Sequence, residues 1–267
     1  MSPSLVTILG TRGSVPVSAP VFARYGGATS CVLVQMSGTN IVLDAGTGLL
    51  RLPADVLSVS GLSLLLTHAH LDHLNGIPMC PYVMSGGKTL DVYAAKQEGH
   101  SISEVLEALY APPLWPVRPS QLAAEIRYHD VEPEFRVGNV TVRSMDGVHP
   151  NGVKLFRLSA DGKSVVFATD CTMTESLYPK AVAFAEGCDL LLCDGQYSDE
   201  EFIPRAGFGH TTWKTAARLG KDCGASVMRV IHHDPTHTDE ILDAASEEIH
   251  AMNSKAEFAR EGETISL

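Results

Sequence analysis

Residues 68–73, His-Ala-His-Leu-Asp-His, place three imidazoles and a carboxylate in six consecutive positions. Imidazole and carboxylate donors without thiolate suit Zn²⁺, with Mn²⁺ or Fe²⁺ as the other candidates. His68 and His70, two apart in extended backbone, point the same way and can share one ion, while Asp72 and His73, a turn later, can reach a second. Four more apolar runs end in residues of the same kind. SVVFAT leads into Asp170, DLLLC into Asp194, VMRVI into His232-His233-Asp234, and TVRSMDG, by way of Val148, into His149. A carboxylate or imidazole at the end of a buried strand is costly unless it is paired or holds a cation. Strand ends are also where layered α/β proteins gather their chemistry. Of His232 and His233 only one can face the cations, and His232, directly after the apolar run, is the candidate. His237 with Asp234 reads either as an outer support of this cluster or as the start of the next helix. His100, His129 and His250 stand alone.

The elements that must hold these residues are short. Runs rich in Val, Ile and Leu predict strands over 5–9, 29–35, 40–43, 62–66, 141–143, 154–158, 164–169, 189–192 and 227–231, with Asp161-Gly162 as a hairpin turn. Helical spacing predicts a helix over 211–222, with Trp213, Ala216, Ala217 and Gly220 on one face and Gly224 as its stop. A second helix is predicted over 240–252 behind the N-cap Thr238, and a third over 101–109 with Ser101 and Glu104 at capping-box spacing. Strands alternating with helices, with hairpins between, predict an α/β chain of mixed sheets covered by helices. Tyr110–Ser120, with four prolines and a tryptophan, predicts a stiff surface loop, either at the rim of the site or a structural crossing. With no repeat or low-complexity tract, residues 1–267 read as one domain carrying this loop near 110–120.

Composition narrows the partners. The chain carries 20 basic and 31 acidic side chains, a formal charge of −11, which argues against a surface that grips long nucleic acid or anionic lipid. The longest uncharged stretch, 25–43, is broken by Gly, Ser, Thr, Gln and Asn and cannot cross a bilayer. Six cysteines without a C-x-x-C pair exclude a disulfide scaffold and a zinc ribbon, and a start without a basic segment points to the cytoplasm. Gly10-Thr11-Arg12-Gly13-Ser14 lacks the Gly-Lys-Ser/Thr ending of a phosphate loop. It reads as a tight turn in which Arg12 is a candidate for a substrate anion.

Thr-His-Ala-His-Leu-Asp-His, with Ile41-Val42-Leu43-Asp44-Ala45-Gly46 before it and His149, Asp170 and His232 after it, resembles the metallo-β-lactamase superfamily over nearly the whole chain. Leu9–Ser14 and Gly209-His210-Thr211-Thr212 are most similar to the branch holding RNase Z and cyclic-nucleotide phosphodiesterases. The resemblance implies a four-layer αββα sandwich, two mixed sheets flanked by helices, with a metal site along one edge, and a homodimer. It implies two divalent metals, one held by His68, His70 and His149, the other by Asp72, His73 and His232, with Asp170 bridging and Asp44 supporting the histidine loop. In that branch a His-Ser-Thr motif supplies the acid that protonates the leaving group. Here His210-Thr-Thr takes that place, keeping a hydroxyl and a possible N-cap, and Asp194 takes the place of a more usual Glu.

Two divalent cations about 3.5–4 Å apart make a shared water a nucleophile near neutral pH. They also concentrate positive charge in the cleft of an acidic protein, so that a small anionic phosphodiester can bind. The expected activity is hydrolysis of small, cyclic phosphodiesters such as cyclic nucleotides, with His210, Asp194 and Asp72 as the catalytic candidates. The alternatives are a thioesterase or lactonase of the same superfamily, a tRNA 3′-processing endonuclease, and a metal-bearing binding protein without turnover. The missing basic arm disfavours the endonuclease.

Overall fold

The computed structural model describes residues 3–267. Two seven-stranded sheets carry the chain. The first contains β1 (Leu5–Gly10), β2 (Cys31–Met36), β3 (Thr39–Leu43), β4 (Gly61–Leu65), β5 (Thr89–Ala94), β6 (Glu125–Asp130) and the C-terminal β14 (Thr264–Ser266), in the order β14-β1-β2-β3-β4-β5-β6. The second contains β7 (Glu134–Val137), β8 (Val140–Asp146), β9 (Lys154–Ala160), β10 (Lys163–Ala168), β11 (Leu190–Asp194), β12 (Val227–Ile231) and β13 (Ala256–Phe258), in the order β13-β12-β11-β10-β9-β8-β7. Both sheets are mixed. β3, β4, β5 and β6 run parallel, as do β10, β11, β12 and β13, and antiparallel pairs fill the remainder. The β9–β10 hairpin turns at Asp161-Gly162, both at positive φ, as the dipeptide predicts.

Three apolar clusters define the layers. Val6, Ile8, Val32, Val34 and Ile41 of the first sheet meet Phe156, Leu158, Val165 and Phe167 of the second in the central one. The outer face of the second sheet is covered by α3 (Tyr178–Ala185), α5 (Trp213–Asp222) and α6 (Asp239–Met252). The outer face of the first is covered by α1 (Ala54–Ser58), α2 (Ile102–Leu109) and the segments around Leu49 and Tyr82. A short helix, α4 (Asp199–Phe202), precedes a 3₁₀ segment, Ile203–Phe208. This is the αββα sandwich that the motifs imply. Continuous apolar runs such as Leu190–Cys193 are strands buried on both faces, as sheets covered on both sides require.

Ser101 and Glu104 form the capping box, Thr238 caps α6 and Gly224 follows α5 at positive φ, as the sequence predicts. Several boundaries differ by one to three residues. The 29–35 strand starts at Cys31, since Thr29 and Ser30 instead bond the Thr47 and Gly46 backbone. The 141–143 strand extends to Asp146, opposite Lys154. The 189–192 strand reaches Asp194. The 211–222 helix begins at Trp213, with the Thr212 hydroxyl as its N-cap. Tyr110–Ser120 joins α2 to β6. Its first residue is buried, and the Tyr110 hydroxyl donates to the carbonyl of Leu74, one residue past His73.

Candidate metal centre

Strand polarity collects the chemistry at one end of the sandwich. β1, β3 and β4 run the same way in the first sheet, and β8, β10, β11 and β12 run together in the second. Asp44 follows β3, His68 to His73 follow β4, His149 follows β8, Asp170 follows β10, Asp194 ends β11 and His232 follows β12. Asp44, Asp170 and His232 each sit at left-handed φ, +57°, +51° and +63°, within two residues of the ends of their strands. Such a backbone costs a non-glycine residue about 1–2 kcal/mol and turns the side chain out of the strand's alternation.

The ligating atoms fall into two groups tight enough to hold a metal ion, His68 with His70 and His149, and Asp72 with His73, Asp170 and His232. Outer hydrogen bonds fix the tautomers. His149 Nδ1–H donates to the Gly209 carbonyl (2.8 Å), and His70 Nε2–H donates to Asn151 Oδ1 (3.3 Å). Their inner nitrogens, His149 Nε2 and His70 Nδ1, therefore face each other at 3.0 Å as two lone pairs. The Thr67 hydroxyl gives its hydrogen to Asp44 and so accepts from His68 Nδ1 (3.0 Å), while His73 Nδ1–H donates to Asp44 Oδ2 (2.7 Å). This leaves His68 Nε2 and His73 Nε2 buried with no hydrogen-bond partner. Opposed lone pairs and orphaned imidazole nitrogens in a buried cluster are satisfied by a cation and by little else. The residues fit two divalent metals.

The electrostatics agree. Asp44, Asp72, Asp170 and Asp194 are all buried here, and no lysine lies among them. Burial would raise Asp170, but His232 and His73 hold it well below the usual carboxylate range, and Asp72 is lowered in the same way by His73 and His232. Burial would lower His232, but Asp170 and Asp72, each 3.1 Å from its Nε2, push it up to about 9. His73 is likewise raised by Asp72, Asp170 and Asp44 against its burial. His68 and His149, by contrast, are lowered by burial. Without metal, protons supply the positive charge that the carboxylates require.

A third group overlaps these, Asp170, Asp194, His210 and His232. Its two additional members satisfy each other. His210 Nδ1–H donates to Asp194 Oδ2 (2.9 Å), and Asp194 is fixed by the backbone N–H groups of Cys171 (3.1 Å) and Gln196 (3.0 Å). The His210 ring stacks on His232 with centroids 5.0 Å apart and meets His149 edge-on at 5.1 Å. His233 turns the other way, donating through Nε2 to the Ala259 carbonyl and packing on Tyr25 and Phe258. Burial takes His233 down to about 3, so it stays neutral.

Arg12 does not face an anion. It is fully buried, and its Nε and Nη1 donate to the carbonyls of Gly26, Asp234 and His237. The turn around it serves the centre through its backbone. Ser14 N–H donates to Asp72 Oδ2 (2.7 Å), and a Cβ on Gly13 would lie 2.4 Å from the His232 ring. His237 does not cap α6. It pairs with Glu201 (2.9 Å) and packs on Trp213, beneath the segment that leads to His210.

Gln97 carries no signal in the sequence. A tight turn after β5 presents it, and its amide accepts from Ala69 N–H (2.6 Å) and donates to the carbonyls of Asn151 (3.2 Å) and Gly152 (2.6 Å). One side chain thus clamps the loop of His68 and His70 to the loop of His149. Gln97→Ala is expected to weaken one of two bound metal equivalents by about ten- to a hundredfold, the usual effect of removing an outer-shell partner. Chelator competition reads the effect, and equal weakening of both equivalents refutes it.

The family model described as a beta-lactamase superfamily domain matches residues 39–233. Ribonuclease Z of Haloferax volcanii is 27% identical over 265 residues, covering 94% of this chain and 78% of that protein. Among solved structures, the metallo-beta-lactamase fold protein YhfI from Bacillus subtilis is similar with a TM-score of 0.77 at 20% identity, over the full length of both chains. A diphosphatase from the PhnP family is similar with a TM-score of 0.71 at 16% identity, over 100% of this chain and 98% of that one.

Proposed function

Because this chain belongs to the beta-lactamase superfamily, we propose that it is a metal-dependent hydrolase that cleaves small phosphodiesters at a dinuclear centre. His68, His70 and His149 would hold one cation, Asp72, His73 and His232 the other, with Asp170 between them and Zn²⁺ suited to the donor set. Bound there, the cations supply Lewis acidity and an acidified water at neutral pH. The chain's own residues do the rest. Asp44 and Thr67 orient His73 and His68, and Gly209 and Asn151 orient His149 and His70. His210 delivers a proton to the departing oxygen from Nε2, since Asp194 engages its Nδ1.

The observation that carries a phosphodiester over a thioester is this His210–Asp194 pair, 2.9 Å apart and stacked against His232. An alkoxide leaving phosphorus needs a proton, whereas a thiolate leaves without one. The names of the relatives, ribonuclease Z and diphosphatase, denote cleavage at phosphorus and support the reading. Ribonuclease Z also favours RNA as a second reading, which the acidic composition opposes. Metal-loaded protein is expected to hydrolyse bis-p-nitrophenyl phosphate and at least one 2′,3′- or 3′,5′-cyclic nucleotide, with chelator abolishing turnover. Faster turnover of thioesters or lactones overturns the proposal, and cleavage confined to precursor tRNA selects the RNA reading.

A further inference from the structure

Large apolar side chains stand in water on the segments that build the centre. Leu71, 61% exposed, lies between His70 and Asp72. Val148, 44% exposed, precedes His149, and Phe208, 59% exposed, precedes Gly209, whose carbonyl accepts from His149. Val15, 52% exposed, follows Ser14, whose N–H donates to Asp72. Single exposed hydrophobics are ordinary. Here four separate chain segments, each tied to the centre by a hydrogen bond or by adjacency to a candidate ligand, end in one.

Cations are missing from the same segments. Residues 10–17, 68–75, 147–152, 170–176, 194–200, 206–212 and 232–238 contain a single Lys or Arg, the buried Arg12, whose Nε and Nη1 bond backbone carbonyls. Outside them, Arg205 donates to the Glu201 carbonyl and lies over the Tyr197 ring at 5.4 Å, Lys154 pairs with Asp146, and Lys96, beside Gln97, is exposed. Positive charge at the centre would come from its metals, and the large side chains exposed beside the candidate ligands are apolar. A polyanion would place its further phosphates on hydrophobic side chains, whereas a single phosphoryl group with an apolar substituent matches both features.

We propose that the substrate is a monoanionic phosphodiester bearing an alkyl or aryl substituent, which packs on Leu71, Val148, Phe208 and Val15 while the metals take the phosphoryl group. This rests on the phosphodiesterase reading above and names its substrate class. The substituent supplies affinity by leaving water, and the scarcity of cations on these segments disfavours chains of phosphates.

The test is binding of methyl-, butyl-, octyl- and phenylphosphonate to the zinc-loaded full chain, measured by calorimetry. A methylene fully removed from water is worth about fourfold in affinity. On an open rim, octylphosphonate is expected to bind at least about thirtyfold more tightly than methylphosphonate. Phe208→Ser should flatten that dependence and Phe208→Leu should restore most of it. Equal affinities along the series overturn the proposal, as does a dependence untouched by a Phe208→Ser, Val15→Ser double variant, or tighter binding of a short oligonucleotide than of octylphosphonate. Turnover of bis-p-nitrophenyl phosphate is scored separately. Turnover with a flat binding series removes the apolar rim alone, and a steep series without phosphodiester turnover removes the reaction while leaving the rim.

Discussion

Asp170→Asn is expected to lower phosphodiester turnover by at least about a thousandfold and bound metal from near two equivalents to one or fewer. Asp170 is the residue on which both groups of candidate ligands converge. Its Oδ1 lies 3.1 Å from His232 Nε2 and 3.3 Å from His73 Nε2, and its Oδ2 lies 3.7 Å from His68 Nε2 and 3.8 Å from His149 Nε2. Asn preserves the shape and tolerates the left-handed φ of +51°, so the loop after β10 keeps its course. It removes the negative charge and one of the two acceptor oxygens, which two cations would both need if Asp170 lies between them. A divalent Lewis acid contributes several kcal/mol to the transition state, and each 1.36 kcal/mol is tenfold in rate, which gives the thousandfold figure. Elemental analysis and steady-state kinetics check the two halves of the expectation, with Asp91→Asn, a half-exposed partner of His129, as the control. Two equivalents retained with turnover within tenfold of the unaltered protein remove Asp170 as the bridge.

What the sequence showed of this centre is what local spacing can carry. His68, His70, Asp72 and His73 lie in one six-residue segment, and Asp170, Asp194 and His232 close apolar runs that are visible as buried strands. His232 is favoured over His233 by its place directly after the apolar run, and His233 packs the other way, on Tyr25 and Phe258. The supports were hidden because they are made across long separations. Gln97 reaches Ala69 and Gly152, 28 and 55 residues away, from a turn whose residues have no ligand character. Glu201 meets His237 across 36 residues and holds a segment that sequence alone leaves as loop. Arg12 has the chemistry of an anion receptor, and only the fold reveals that three backbone carbonyls surround it. Three of the five missed strands have a related cause. β6 is an edge strand reading Glu-Ile-Arg-Tyr-His-Asp, with too few apolar residues to stand out, and β13 and β14 are three residues each. Helix α3 is short and starts with a proline at its second position, without a side-chain cap to announce it.

His210→Ala is expected to slow hydrolysis of alkyl phosphodiesters by about 10²–10⁴-fold while slowing nitrophenyl esters less than about tenfold. The difference follows from where the proton is needed. Nitrophenolate departs as a stable anion, whereas an alkoxide must be protonated as the bond to phosphorus breaks. His210 can serve because Asp194, itself held by Cys171 N–H and Gln196 N–H, accepts from Nδ1 and leaves Nε2 as the nitrogen that carries the mobile proton. Asp194→Asn keeps a side chain of the same shape but loses the charge that stabilises the imidazolium, so it should reproduce the same leaving-group preference with a smaller magnitude. Metal content separates this role from a ligand role. Asp194 and His210 also lie within reach of a cation shared with Asp170 and His232. In the general-acid reading His210→Ala retains both metal equivalents. Loss of one equivalent, with alkyl and nitrophenyl substrates slowed equally, would instead make His210 a ligand and leave the departing oxygen without an acid from this chain.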